Sequence, residues 1–413
     1  MTLKESLKRT PLYPVLHYSR YLAHRYLVER SFRSCFLSDG VEIEPVDNGI
    51  CFFGYHNISP ENVNGDLIYL KVNKEKVRGS MHEAADIMLK SPSGEIREIA
   101  RTRSWNWQQG CMLQWLNRDG LHILYNDYDV GEDRYVSRVI DTDGNHVRSY
   151  NMPVNYVDRK GRYALCLNYD RLAEMRPDYG YFNKSQISLP PDDQDGIWRM
   201  DLDTGDIRLI VSLEELKNLN TTPLMSGAEH KVNHIDINPS GTRFLFHHRW
   251  IGPQGRFMRL FTSQPDGSDL CMLNGDEMTS HCCWLNDREI LSYCEYQSEQ
   301  AYFRFTDRTD DVQRFFTTLP DSDGHPSVSP DGRWLVTDTY PGLSRMSALY
   351  LLDLSGRVIH QAGSFHQPLQ YVKEMRVDLH PKWSPDSRSV YFESAHSGKR
   401  QLYRMQWKQL QAG

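Results

Sequence analysis

The chain has 413 residues, 39% of them hydrophobic and 25% charged, the balance of an ordinary folded protein. A net charge of −6 with no basic, aromatic-interleaved stripe argues against a nucleic-acid partner, and no apolar run approaches the ~20 residues of a membrane span. Eight scattered cysteines without a Cys-x-x-Cys pair suit neither a zinc site nor a disulfide framework, and the polar first residues predict no signal peptide, so a cytoplasmic location is expected.

Residues 1–40 stand apart. Between Leu12 and Phe36, Tyr13, Leu16, Tyr18, Tyr21, Leu22, Tyr26 and Leu27 recur among His17, Arg20, His24, Arg25, Arg30 and Arg33. This spacing predicts a basic amphipathic helix, which either makes a peripheral contact with the anionic inner face of a membrane or caps the fold.

From residue 41 to 413, short apolar runs alternate with turns. One hairpin pattern recurs: an alternating run, a Pro-Asp-Gly type turn and a second apolar run. Copies begin at Tyr55, Leu113, Val154, His234, His281, His325 and His380, at intervals of 41 to 58 residues except for 80 between Val154 and His234. Seven such hairpins, each in a unit of four short strands, predict an all-β, seven-bladed β-propeller. One blade holds the long interval as insertions, and the strands near residues 40–50 are expected to close the ring.

Two stretches are candidates for substrate contact. Trp105, Trp107, Gln108 and Gln109 form a dense aromatic and amide cluster, which suits either a sugar site or a tryptophan layer between blades. Arg171 belongs to a polar, aromatic insertion running from Asn168 to Tyr181.

The last four copies carry histidine at one register: His234, His281, His325 and His380. Equivalent positions in successive blades lie on a ring, so these side chains should converge on one mouth of the channel. Asp378 precedes His380 by two residues, and strand alternation would put both on one face. With His281 and His325 this gives three nitrogens and one oxygen, a donor set that suits Mn, Fe, Ni or Zn better than Ca. The competing reading is that His-Pro is a strand-entry dipeptide without chemistry. Arg249 lies in the run Phe246-His247-His248-Arg249-Trp250, where it either holds a uronic carboxylate bidentately or forms a surface ion pair.

At these residues the chain resembles oligogalacturonate lyase, a seven-bladed propeller enzyme. The family's His-x-x-x-x-Pro hairpin is matched by His234 through Pro239. Its Thr-His-Glu-Phe-Trp strand is matched by Ser280-His281-Cys282-Cys283-Trp284, and its Gln-x-x-His-x-His-Pro strand by Met375 through Pro381. The family's glutamine falls on Met375 and one of its histidines on Asp378. Over roughly residues 224–407 the resemblance implies manganese at His281, Asp378 and His380, with His234 as the base. The implied reaction is β-elimination on a uronic-acid-containing oligosaccharide or polysaccharide. The base takes the C5 proton and the 4-O-glycosidic bond breaks, while a metal or arginine neutralises the carboxylate. The alternative is a non-catalytic sugar-binding or scaffold propeller in polysaccharide biosynthesis.

Overall fold

The computed structural model describes residues 13–28, 33–75, 83–116, 120–276, 278–315, 322–355 and 358–411. Seven antiparallel sheets follow one another around a central channel. Blade one runs from Ile50 to Thr102, blade two from Gln114 to Tyr150, blade three from Val154 to Ser212 and blade four from Glu229 to Asn274. Blade five runs from Thr279 to Arg314, blade six from Ser327 to His366 and blade seven from Lys382 to Trp407. Each inner strand pairs with the second strand through the recurring turn; the turn of the Leu113 copy, at 117–119, lies outside the described residues. The buried apolar residues form clusters, several of which are shared between adjacent blades.

The ring closes as expected. Val41–Pro45 supplies the outermost strand of blade seven, with Val41 opposite Trp407. A neighbouring segment departs from the expectation of a helix across residues 1–40. Cys35–Leu37 adds a fifth strand to blade six, with Cys35 opposite Phe365. This short apolar run covers what would otherwise be an open sheet edge.

The N-terminal helix α1 spans Tyr13–Ala23 and continues as one wider turn over His24–Val28. Its Tyr21 is buried, its hydroxyl 2.9 Å from His366 Nε2, and buried Arg25 donates to the Arg33 carbonyl at 3.1 Å. These members of the expected membrane-facing stripe are therefore packed, Tyr21 against blade six, while Leu16, Tyr18 and Leu27 are exposed. Leu12 and Arg30 lie outside the described residues. Among the described residues no helix is long and apolar enough to cross a membrane.

Two features of the fold set up the histidine mouth. Blade three carries an insertion between its second and third strands, with helix α2 at Tyr169–Met175 capped by Asn168, and the chain returns past Tyr179 and Tyr181. This accounts for the 80-residue interval. Blades one and seven are joined by Glu393, whose Oε1 accepts from the backbone N–H of Phe53 (3.2 Å) and Gly54 (2.6 Å) and whose Oε2 accepts from Arg400 (2.9 Å). Gly54 sits at φ +105°, and a Cβ there would lie 2.4 Å from the Gln109 carbonyl carbon, so only glycine fits.

Candidate metal centre at the propeller mouth

His234 and His281 lie within inner strands, Glu229–Ile237 and Thr279–Trp284, whereas His325 and His380 stand two residues before theirs, and backbone irregularity marks three of the four positions. His234 lies where the blade-four register shifts between Asn233 and Asp236, and His281 where the blade-five register shifts between Thr279 and Cys282. Bulges of this kind re-aim side chains at sites. His234 and His380 hold left-handed backbone, with φ of 54° and 44°. Residues without glycine's freedom keep such a conformation only when their surroundings enforce it.

The four imidazoles form a continuous arc. Ring centroids are 5.3 Å apart for His234 and His281, 4.0 Å for His281 and His325, and 4.3 Å for His325 and His380. Blade one completes the ring with two residues outside the four-histidine register. Tyr55 holds the register position and its hydroxyl lies 2.8 Å from His234 Nδ1. His56, one residue later, stands 5.4 Å from His325 and 6.3 Å from His380.

Ligand atoms of His325, Asp378 and His380 lie within 4.8 Å of one another. The reason for the Asp378–His380 pairing differs from the one expected. The segment precedes the inner strand, which begins at Lys382, so alternation along a strand does not align the two side chains. Arg376 does part of that work by donating from Nε to Asp378 Oδ2 at 2.6 Å. Asp338, at the end of the second strand of blade six, anchors both histidines. It accepts from the backbone N–H of His325 (2.7 Å) and of His380 (3.2 Å), and from His325 Nδ1 at 2.9 Å. His281 Nδ1 lies 3.1 Å from Ser280 Oγ and 3.3 Å from Asp323.

These outer contacts leave the inward atoms without partners. His281 Nε2, His325 Nε2, His380 Nδ1, Asp378 Oδ1 and both nitrogens of His56 are buried and make no hydrogen bond. Burying such atoms unpaired is costly. With Nδ1 of His325 donating to Asp338, Nε2 presents its lone pair, the tautomer of a metal ligand backed by a carboxylate. The donor set therefore fits a divalent transition metal.

Electrostatics separate the histidines. Burial, reinforced by neighbouring imidazoles, holds His56, His234, His281 and His380 well below the ordinary imidazole range. His325 is the exception. Burial pulls it down, but Asp338, Asp378 and Asp323 outweigh this and raise it. Burial pushes Asp323 up to about 6.

The other candidates fall elsewhere. Trp105 and Trp107 are packed against Phe52 and, for Trp107, beneath Arg400 at 4.7 Å, so neither ring face is open to a sugar. Gln108 is buried and donates to the carbonyls of Glu374 (3.2 Å) and Arg376 (3.0 Å), and Gln109 is buried beside it. The cluster is a seam between blades that steadies the Arg376–Asp378 segment. Arg171 is also corrected from a substrate contact to an internal tie: it is buried, paired with Asp195 at 2.6 Å and bonded to the His230 carbonyl. Arg249 is not on the surface; it is buried and donates to His247 Nδ1 at 3.1 Å. A cavity of about 510 Å3 opens at the far ends of the inner strands, lined by Trp115, Tyr156 and Trp383; none of the histidines lines it.

No protein-family model matches the chain, and no curated protein matches it in sequence. Solved structures do match in shape. The oligogalacturonate lyase of Vibrio parahaemolyticus aligns over 90% of this chain and 96% of its own, with a TM-score of 0.60 and 13% identity. The chain is similar in fold to oligogalacturonate lyase. An oligogalacturonate lyase in complex with manganese aligns over 91% of this chain and 96% of its own, at a TM-score of 0.61 and 14% identity. A puromycin-hydrolysing peptidase of Mycobacterium tuberculosis aligns over 83% of this chain but 49% of its own, at 0.50 and 10%.

Proposed function

We propose that the protein is a metal-dependent lyase-like enzyme that cleaves a uronic-acid-containing oligosaccharide by β-elimination. One observation carries this reading: buried, unpartnered nitrogens and a carboxylate oxygen converge at one mouth of a propeller shaped like oligogalacturonate lyases, one of which is described with manganese. His325, Asp378 and His380 would hold the metal, with His281 and His56 beside them. Such a metal supplies Lewis acidity toward the uronate carboxylate, which makes the proton at C5 easier to remove.

The side chains have definite parts to play. In this reading His234 is the base. When Nδ1–H donates to the Tyr55 oxygen, the unpartnered Nε2 presents a lone pair. Burial, together with His247 and Arg176, keeps this imidazole neutral through the neutral range. The rate should therefore be flat with respect to His234 across about pH 6–8, rather than rising there as an exposed imidazole would make it. Tyr179, with its ring 5.3 Å from His234, helps to exclude water.

The test is absorbance of the unsaturated product across a panel of uronic-acid oligosaccharides with the manganese-loaded protein. His234→Ala should lower the rate by about 10²–10⁴-fold while metal stays bound. Metal bound but no unsaturated product from any uronide would leave a sugar-binding propeller instead.

A further inference from the structure

The cavity of about 510 Å3 at the far ends of the inner strands has the size of a small-molecule site. Its wall brings together Trp115 of blade two, Tyr156 of blade three and Trp383 of blade seven. The polar atoms of all three rings are already engaged. Trp115 Nε1 donates to the Pro60 carbonyl and Trp383 Nε1 to the Ser327 carbonyl, both at 3.0 Å, and the Tyr156 hydroxyl donates to the Asn57 carbonyl at 3.2 Å. What the rings offer the cavity is therefore carbon, beside Ile58, Val157 and Val328. Ser327, 4% exposed, also lines the wall, and its hydroxyl has no partner among the described residues.

The charge on this wall is one-sided. Glu61, Asp158, Asp331 and Asp386 line it, with Arg159 the one cation among them. Arg162 neutralises Asp158 at 2.6 Å, but among the described residues no cation stands within ion-pair distance of the other three. Asp331 and Asp386 belong to the Ser-Pro-Asp turns of blades six and seven. Each commits Oδ1 to its own turn, accepting from Ser329 Oγ at 2.5 Å and Ser384 Oγ at 2.6 Å, and Oδ2 has no partner among the described residues. Glu61 accepts the Tyr391 hydroxyl on Oε2 at 2.7 Å, and its Oε1 is left over in the same way. Burial pushes the Glu61 carboxyl up and Asp386 adds to this, against Tyr391 and Arg404. The three carboxylates do not crowd onto one point: among the described residues only His325, Asp378 and His380 bring three ligand atoms within 4.8 Å of one another. Negative charge spread along an aromatic wall suits an extended organic cation and not a single metal ion. Ammonium groups pair with separate carboxylates, and the carbon between them packs on the rings.

We propose that this cavity binds a small linear polyamine, whose protonated amines meet Glu61, Asp331 and Asp386 while its methylene spacers lie against Trp115 and Trp383. The Ser327 hydroxyl supplies a neutral acceptor for an ammonium proton. The site stands apart from the histidine mouth and does not rest on the lyase reading.

Calorimetric titration of the full chain with spermidine, putrescine and magnesium chloride tests this. Spermidine should bind at one site per chain and more tightly than putrescine, and magnesium at constant ionic strength should not displace it. Glu61→Gln can still accept the Tyr391 hydroxyl, and it should weaken spermidine about 10-fold or more, the size of losing one charge-assisted hydrogen bond. The double variant Asp331→Asn with Asp386→Asn keeps the acceptors of both turns, so its melting temperature should hold while spermidine weakens by a similar factor. His380→Ala should bind spermidine as the wild-type chain does. No spermidine binding by the wild-type chain, displacement by equimolar magnesium, unchanged affinity in both charge variants, or loss of binding in His380→Ala would each overturn the site.

Discussion

His325 and Asp338 show how much of the site depends on residues outside the register. The histidine was legible because it repeats; Asp338 was not, since it looks like any polar residue ending an apolar strand. Yet one carboxylate fixes the His325 tautomer and holds the backbone of both His325 and His380. His56 was hidden for a related reason: Tyr55 occupies the register position, so the blade-one copy read as lacking histidine. Asp338→Asn tests the dependence. It nearly preserves shape but removes the charge that supports His325, and manganese affinity measured by titration should fall about 10–100-fold, the typical cost of losing an outer carboxylate. Unaltered affinity would mean that His325 is a core histidine.

At the scale of elements, the hairpins were readable because each turn carries its own chemistry, while the seams between blades were not. The Trp105–Gln109 stretch has the composition of a sugar platform, but the paired faces of blades one and seven claim it. Asp378 and His380 sit together through Arg376 and Asp338, contacts that strand periodicity does not encode. Glu393 and Arg400 are the centre of that seam, with side chains 0% and 1% exposed, and Arg400 also holds the carbonyls of Trp107, Met375 and Arg376. Glu393→Gln would leave a buried guanidinium without its counter-charge. Denaturant melts should show a loss of about 3–5 kcal/mol, as for other broken buried pairs. A loss under about 1 kcal/mol would mean that the Glu393–Arg400 pair does not hold blades one and seven together.

For the whole molecule, period and turn chemistry sufficed to predict seven blades and a closing strand near residues 40–50. They did not predict the Cys35–Leu37 strand on blade six, because the aromatic stripe around it carries a helical signal. Nor did they reveal the insertion's contact with the mouth, where Asp178 meets Arg376 at 2.7 Å from 198 residues away. Contacts at that separation leave no local pattern.

If the histidine mouth is a metal centre, the protein carries its metal through purification. Elemental analysis of protein purified without chelator, followed by manganese titration of the stripped chain, should find about one divalent transition metal per chain. His380→Ala should lose that metal while its circular dichroism and melting stay those of the wild type. Metal-free protein that takes up no manganese, iron, nickel or zinc, or a His380→Ala variant that unfolds without any change in metal, would contradict it.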